Sequence, residues 1–81
     1  MDFKAAARRI LKETGSPLHY TDITEIALKD GYLRSSGKTP QNTMRARLSV
    51  DVRDNPKTPF FQSAPGVYGL REWEGRAKRP Q

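Results

Sequence analysis

Cysteine is absent from this chain of 81 residues, and histidine occurs once, as His19. No disulfide framework and no thiolate zinc site can form, and most histidine-based metal sites are excluded too. No apolar run approaches the ~20 residues of a membrane-spanning helix. The N-terminus lacks the apolar core of a secretory signal. Acid is also scarce: nine Asp and Glu stand against fifteen Lys and Arg, for a net charge of +6 and a pI near 10.1. Asp22, Glu25, Asp30, Asp51 and Asp54 are spread over caps and turns, not clustered as a nuclease metal site requires. A non-catalytic domain without metal or small-molecule cofactor is therefore expected. The basic balance favours an anionic partner, nucleic acid before a membrane surface. The cytoplasm (in a bacterium, its nucleoid) or the nucleus is the expected compartment. The length suits one small domain, and a chain this short buries only roughly 60% of its unfolded surface.

What is present reads as short amphipathic helices. Residues 2–14 form the first: Phe3, Ala7, Ile10, Leu11 and Thr14 share one face, Asp2 favours the start, and Gly15 can take the left-handed stop. Arg8, Arg9 and Lys12 lie off that stripe, on a solvated face. Ser16-Pro17 breaks the chain, and Leu18-His19-Tyr20 is a brief strand. His19 has no companions that would make it a ligand or a base, so a structural role is expected. Thr21 is the expected cap of a second helix of about ten residues, too short to stand without packing. Its buried face is Ile23, Ile26 and Ala27 with Leu28 at the margin, and Gly31 stops it.

The third helix, over residues 40–53, carries its start in its sequence. Thr39 is placed to cap it, and Pro40 occupies the first helical position, where a missing amide hydrogen costs nothing. Met44, Leu48 and Val52 recur every fourth residue and point inward. Asn42, Ala46, Ser49 and Arg53 point outward, and Gln41, Arg45 and Arg47 flank the seam. Asp51 lies near the buried edge, where a hydrogen bond or ion pair would fix the following turn. The run Ser36-Gly37-Lys38-Thr39 is not a phosphate loop: the first glycine of that motif is missing and no strand precedes it.

Two prolines in the turn 54–59 bar further helix. Residues 60–64 and 67–71 then read as two strands about Pro65-Gly66, which suits the centre of a type II turn. Tyr68 and Leu70 share the face that closes the core. The expected fold is α+β and mainly α: a winged helix-turn-helix, three helices followed by a β-hairpin wing. Residues 1–72 are its domain, and 73–81 form a basic linker or disordered tail, with Trp73 either packed on the hairpin or exposed.

Several fragments carry a family likeness. They are Ser16-Pro17-Leu18-His19-Tyr20-Thr21-Asp22-Ile23, Ala27-Leu28-Lys29-Asp30-Gly31-Tyr32-Leu33, and Gly37-Lys38-Thr39-Pro40-Gln41-Asn42-Thr43-Met44. Leu48-Ser49-Val50-Asp51-Val52 and Pro65-Gly66-Val67-Tyr68-Gly69-Leu70 complete the set. In this order and spacing, over roughly residues 2–72, the chain resembles the HARE-HTH domain. That winged-helix module occurs in restriction endonucleases and other DNA-acting bacterial proteins, in Asx-like chromatin adaptors, and in the delta subunit of bacterial RNA polymerase. The resemblance implies binding of double-stranded DNA, with sensing of sequence or modified bases, as part of a larger DNA-acting protein such as a restriction endonuclease. A catalytic or scaffold domain in the same or another chain is the further partner expected.

The third helix would enter the major groove by its N-terminal end. Gln41 and Asn42 would reach base edges, with Thr43 in the same turn, and Arg45 would pair with guanine or a phosphate. Lys38, Thr39, Lys57 and Arg71 would hold the backbone. The alternative, following the delta-subunit branch, is a protein-interaction winged helix docked on RNA polymerase or a chromatin complex. That reading needs an exposed apolar patch, for which Tyr32, Leu33, Val50 and Trp73 are the candidates.

Overall fold

A computed structural model describes residues 2–34 and 38–73. Helix α1 spans Phe3–Thr14; the Asp2 carboxylate accepts from the Ala5 amide at 2.7 Å at its start. At its end Gly15 takes φ 72°, and its N–H donates to the Leu11 carbonyl. Ala6, Ala7, Ile10 and Leu11 are fully buried, with Phe3 packed at the margin. Thr14 is exposed despite its place on the stripe, because its hydroxyl turns to the helix end and donates to the Leu11 carbonyl.

Strand β1, Leu18–His19, leads into α2, Tyr20–Lys29. The cap of α2 is His19, not Thr21: Nδ1 of the imidazole accepts from the Thr21 amide at 3.3 Å. Thr21 is already inside the first turn, so its amide is one of the free donors that the cap satisfies. His19 is thus structural. Ile23 and Ala27 are buried, and so is Thr24, whose hydroxyl donates to the Tyr20 carbonyl at 2.8 Å. After Gly31, at φ 80°, the Tyr32 and Leu33 amides both donate to the Ala27 carbonyl. That reversal folds Leu33 into the core.

Helix α3 spans Pro40–Asp54 and buries Met44 and Leu48, with Val52 half-buried. Asp51 is buried beside them. It accepts from Thr58 Oγ1 at 2.5 Å, Lys4 Nζ at 3.1 Å and Asn55 Nδ2 at 3.2 Å. The Thr58 hydroxyl in turn accepts from the Phe60 amide. One carboxylate therefore ties the end of α3 to α1 and to the start of β2 (Phe60–Ala64), the turn-fixing role expected of it.

Strand β3, Val67–Leu70, lies between β1 and β2 in an antiparallel sheet. Leu18 faces Tyr68 and His19 faces Val67 on one side; Phe60 faces Leu70 and Phe61 faces Gly69 on the other. The brief first strand thus completes the hairpin as its third strand. Phe60, Tyr68 and Leu70 point inward against the three helices. On the outer face, a Cβ at Gly69 would come within 2.8 Å of the Phe61 ring and 2.9 Å of the Trp73 ring, so the two aromatics close over a bare backbone. Trp73 is packed against the core, not free. Gly66 takes φ 77° in the wing turn, and its carbonyl accepts from the Tyr20 amide at 2.9 Å. The turn is therefore docked against the start of α2. Of the tail expected over 73–81, the part after Trp73 lies outside the described residues.

Candidate nucleic-acid interface

Helix α3 differs from its two companions at its start. The first turns of α1 and α2 are each sealed by the side chain before them, but Thr39, at φ −133° and ψ 68°, makes no side-chain cap bond. The side-chain cap expected of Thr39 is not made. Instead its backbone carbonyl accepts from the Asn42 amide at 3.0 Å and the Thr43 amide at 3.4 Å. Pro40 brings no amide hydrogen to this turn. The cause is backbone geometry: a cap side chain reaches the second and third amides from an extended conformation, with ψ well above that of Thr39. The Thr39 hydroxyl is left unused by the helix.

Around this turn, Lys38, Thr39, Gln41, Asn42 and Arg45 are exposed, and Thr43 is half-buried. Asn42, Ala46 and Arg53 face outward as their spacing requires, with Val50 beside them. Ser49 does not. It is half-buried, and its Oγ lies 2.6 Å from the Tyr68 hydroxyl, a hydrogen bond that pins α3 to the central strand. A helical wheel places Ser49 on the outer rim, but Tyr68 is long enough to reach round the helix. Arg45, one turn before Ser49, therefore stands on the sheet side of α3, and Arg47 on the other flank.

Charge divides α3 in two. Among the described residues Lys38, Arg45 and Arg47 meet no carboxylate, whereas Arg53 donates to Asp54 through Nε at 3.0 Å and a terminal nitrogen at 3.2 Å. The same hydrogen bonds hold the Asp54 carboxyl below the ordinary range. The N-terminal half keeps its cations available, while the C-terminal half neutralises its own. On α1, Lys4 pairs with Asp51, Arg8 approaches Glu72 at 4.0 Å, and Arg9 pairs with Glu13 at 3.0 Å.

The eight residues expected to contact nucleic acid fall into two groups. Lys38, Thr39, Gln41, Asn42, Thr43 and Arg45 come together at the start of α3. Lys57 and Arg71 stand at its far end, ~20 Å away at about 1.5 Å of rise per residue. There Arg71 donates to the Pro56 carbonyl at 3.4 Å and borders an open groove of about 450 Å³ between α3 and β2. The apolar set Tyr32, Leu33, Val50 and Trp73 is not assembled into a patch. Leu33 is buried, Tyr32 and Trp73 pack on the core, and Val50 alone is exposed. Tyr32 is committed to α1, donating to Glu13 at 2.9 Å beneath the Arg9 guanidinium. Among the described residues no three His, Cys, Asp or Glu side chains gather as metal ligands, and no helix is long and apolar enough to cross a membrane.

The HARE-HTH family model, whose description includes ASXL and the restriction endonuclease HTH domain, matches residues 1–73. The chain belongs to the HARE-HTH family. It is a helix-turn-helix domain of a DNA-binding family, and its winged form agrees with the α+β fold read from the sequence. No curated protein and no solved structure matches the chain. In HARE-HTH terms, α2 and α3 form the helix-turn-helix and the β2–β3 hairpin is the wing. Sequence reasoning missed the part played by Ser49, whose hydroxyl ties α3 to Tyr68. No pattern within α3 signals a partner nineteen residues away.

Proposed function

We propose that this HARE-HTH domain binds double-stranded DNA non-catalytically by laying α3 in the major groove, N-terminal turn first. The observation that carries this reading is the start of α3: a first turn with no side-chain cap, ringed by exposed Lys38, Gln41, Asn42 and Arg45. The positive end of the helix favours a phosphate there. Asn42 has the donor-acceptor pair that adenine presents in the major groove, and Gln41 has the same chemistry on a longer stem. Arg45 serves a guanine edge or a phosphate. Lys38 and the unused Thr39 hydroxyl hold the backbone, with Thr43 at the inner side of the same turn. Lys57 and Arg71 reach phosphates beyond the far end of α3. The domain reads sequence or a modified base for a larger DNA-acting protein, such as a restriction endonuclease, in the cytoplasm or the nucleus.

The test is the double variant Gln41→Ala/Arg45→Ala, titrated with labelled duplex by fluorescence anisotropy at low and moderate salt. The expected result is at least a tenfold loss of affinity, since a good base contact is worth ~1–3 kcal/mol. For the parent, binding should fall steeply as salt rises. Binding by the double variant equal to the parent at moderate salt would refute the placement of α3.

A further inference from the structure

Valine is a poor choice for a solvated helix position, because its branched side chain loses rotamer freedom there and offers water nothing. Val50 nevertheless sits in the middle of α3 with 46% of its surface exposed, one of two large apolar residues so exposed among the described residues. The other, Leu28 at 39%, borders the packed face of α2. Val50 borders no such face. It lies on the outer side of α3, one turn beyond the exposed Ala46, with Asn42 one turn earlier again. At about 100° per residue these three fall within a sector of roughly 80°. The sector is a strip that begins with an amide, continues as methyl groups and ends at Arg53, which is paired with Asp54. Its flanks are polar, with Arg45 on one side and Arg47 on the other.

We propose that Ala46 and Val50 read the C5-methyl groups of thymine, so that the DNA favoured by this domain presents A·T pairs beneath the middle of α3. The inference rests on the major-groove placement of α3 proposed above and names the base that its middle selects. In the major groove thymine alone among the four ordinary bases presents a methyl group, and small apolar side chains are the groups that match it. Neither Ala46 nor Val50 can hydrogen-bond a base, so an unmethylated cytosine or a purine edge there would lose water without compensation. The same strip adds consistency at its start, because the Asn42 amide suits the adenine of an A·T pair. A thymine methyl against Val50 also removes the exposed apolar surface that the free domain carries.

The C5-methyl also occurs on 5-methylcytosine, so the experiment separates the two sources. The domain is titrated by fluorescence anisotropy with an alternating d(A-T) hairpin duplex of about 20 base pairs, which places a thymine methyl at every step whatever the register. The second probe is the same duplex with uracil for thymine. The third and fourth are alternating d(G-C) with cytosine or with 5-methylcytosine. The expected result is a loss of roughly fourfold per buried methyl on passing from thymine to uracil, from about 0.8 kcal/mol per carbon buried. In Val50→Ser the gap between the thymine and uracil duplexes should shrink, while the circular dichroism spectrum stays that of the parent, because Val50 is outside the core. Equal affinity for thymine and uracil duplexes overturns the inference and leaves duplex binding standing. A gain on 5-methylcytosine without a loss on uracil overturns the assignment to thymine. A thymine–uracil gap undiminished in Val50→Ser overturns the assignment to Val50. Failure to bind any duplex at low salt removes the major-groove reading itself, and this one with it.

Discussion

A single carboxylate carries much of the order at the far end of α3. Burial of Asp51 disfavours its charge, but the hydrogen bonds from Thr58, Lys4 and Asn55 together outweigh that cost and hold its carboxyl below the ordinary value. A carboxyl depressed in the folded state stabilises the fold above its unfolded pKa, about 3.9, and loses that contribution as pH falls through the folded value. Asp51→Asn keeps the size but removes the charge and one acceptor. It is expected to cost about 2 kcal/mol at pH 6, in line with hydrogen bonds to charged groups. The gap to the parent should narrow as pH falls below the unfolded value and close only as it passes through the parent's depressed folded value. Urea unfolding over this pH range checks this, and a gap that does not change with pH would contradict it. The character of Asp51 was legible in the sequence: an acid beside an apolar stripe, just before a proline-rich turn, needs a nearby donor. Two of its three donors were not legible, because Lys4 and Thr58 come from outside α3.

The interval between apolar residues was enough to place α1, α2 and α3, because a helix buries one stripe whatever surrounds it. Caps were less readable. A threonine before an apolar run offers a hydroxyl, but the backbone conformation decides whether it can be used. His19 took the role expected of Thr21, and Thr39 caps α3 with its carbonyl alone. The pairing of β1 with β3 was hidden too, since two residues show no alternation, and their partners lie about fifty positions later. The Ser49–Tyr68 bond, which ties α3 to the central strand, was hidden for the same reason. Tyr68→Phe removes that partner while leaving the ring in the core. Its expected cost is about 1 kcal/mol, the net worth of a typical hydrogen bond, read as a lower urea midpoint with an unchanged slope. A midpoint equal to the parent's would mean that the tie does not hold α3 in place.

At the scale of the whole molecule, charge and fold divide the labour. The net +6 favours any polyanion, yet the described cations are unevenly available. Lys4, Arg8, Arg9 and Arg53 are drawn toward carboxylates of the domain itself, while Lys38, Arg45 and Arg47 at α3, like Lys12, Lys29, Arg34, Lys57 and Arg71 elsewhere, meet none among the described residues. Composition announced an anionic partner but could not show this partition, because the pairings of Lys4 with Asp51 and Arg8 with Glu72 exist only once the chain is folded. The wing is docked by its turn against the start of α2. The most direct measurement is an amide chemical-shift titration of the isotope-labelled domain with a short duplex at moderate salt. The expected result is that the largest shifts cluster from Lys38 to Val50, with smaller ones at Lys57 and Arg71. The largest shifts falling instead on the outer face of α1 or on the free edge of β2, with the start of α3 unmoved, would contradict the account.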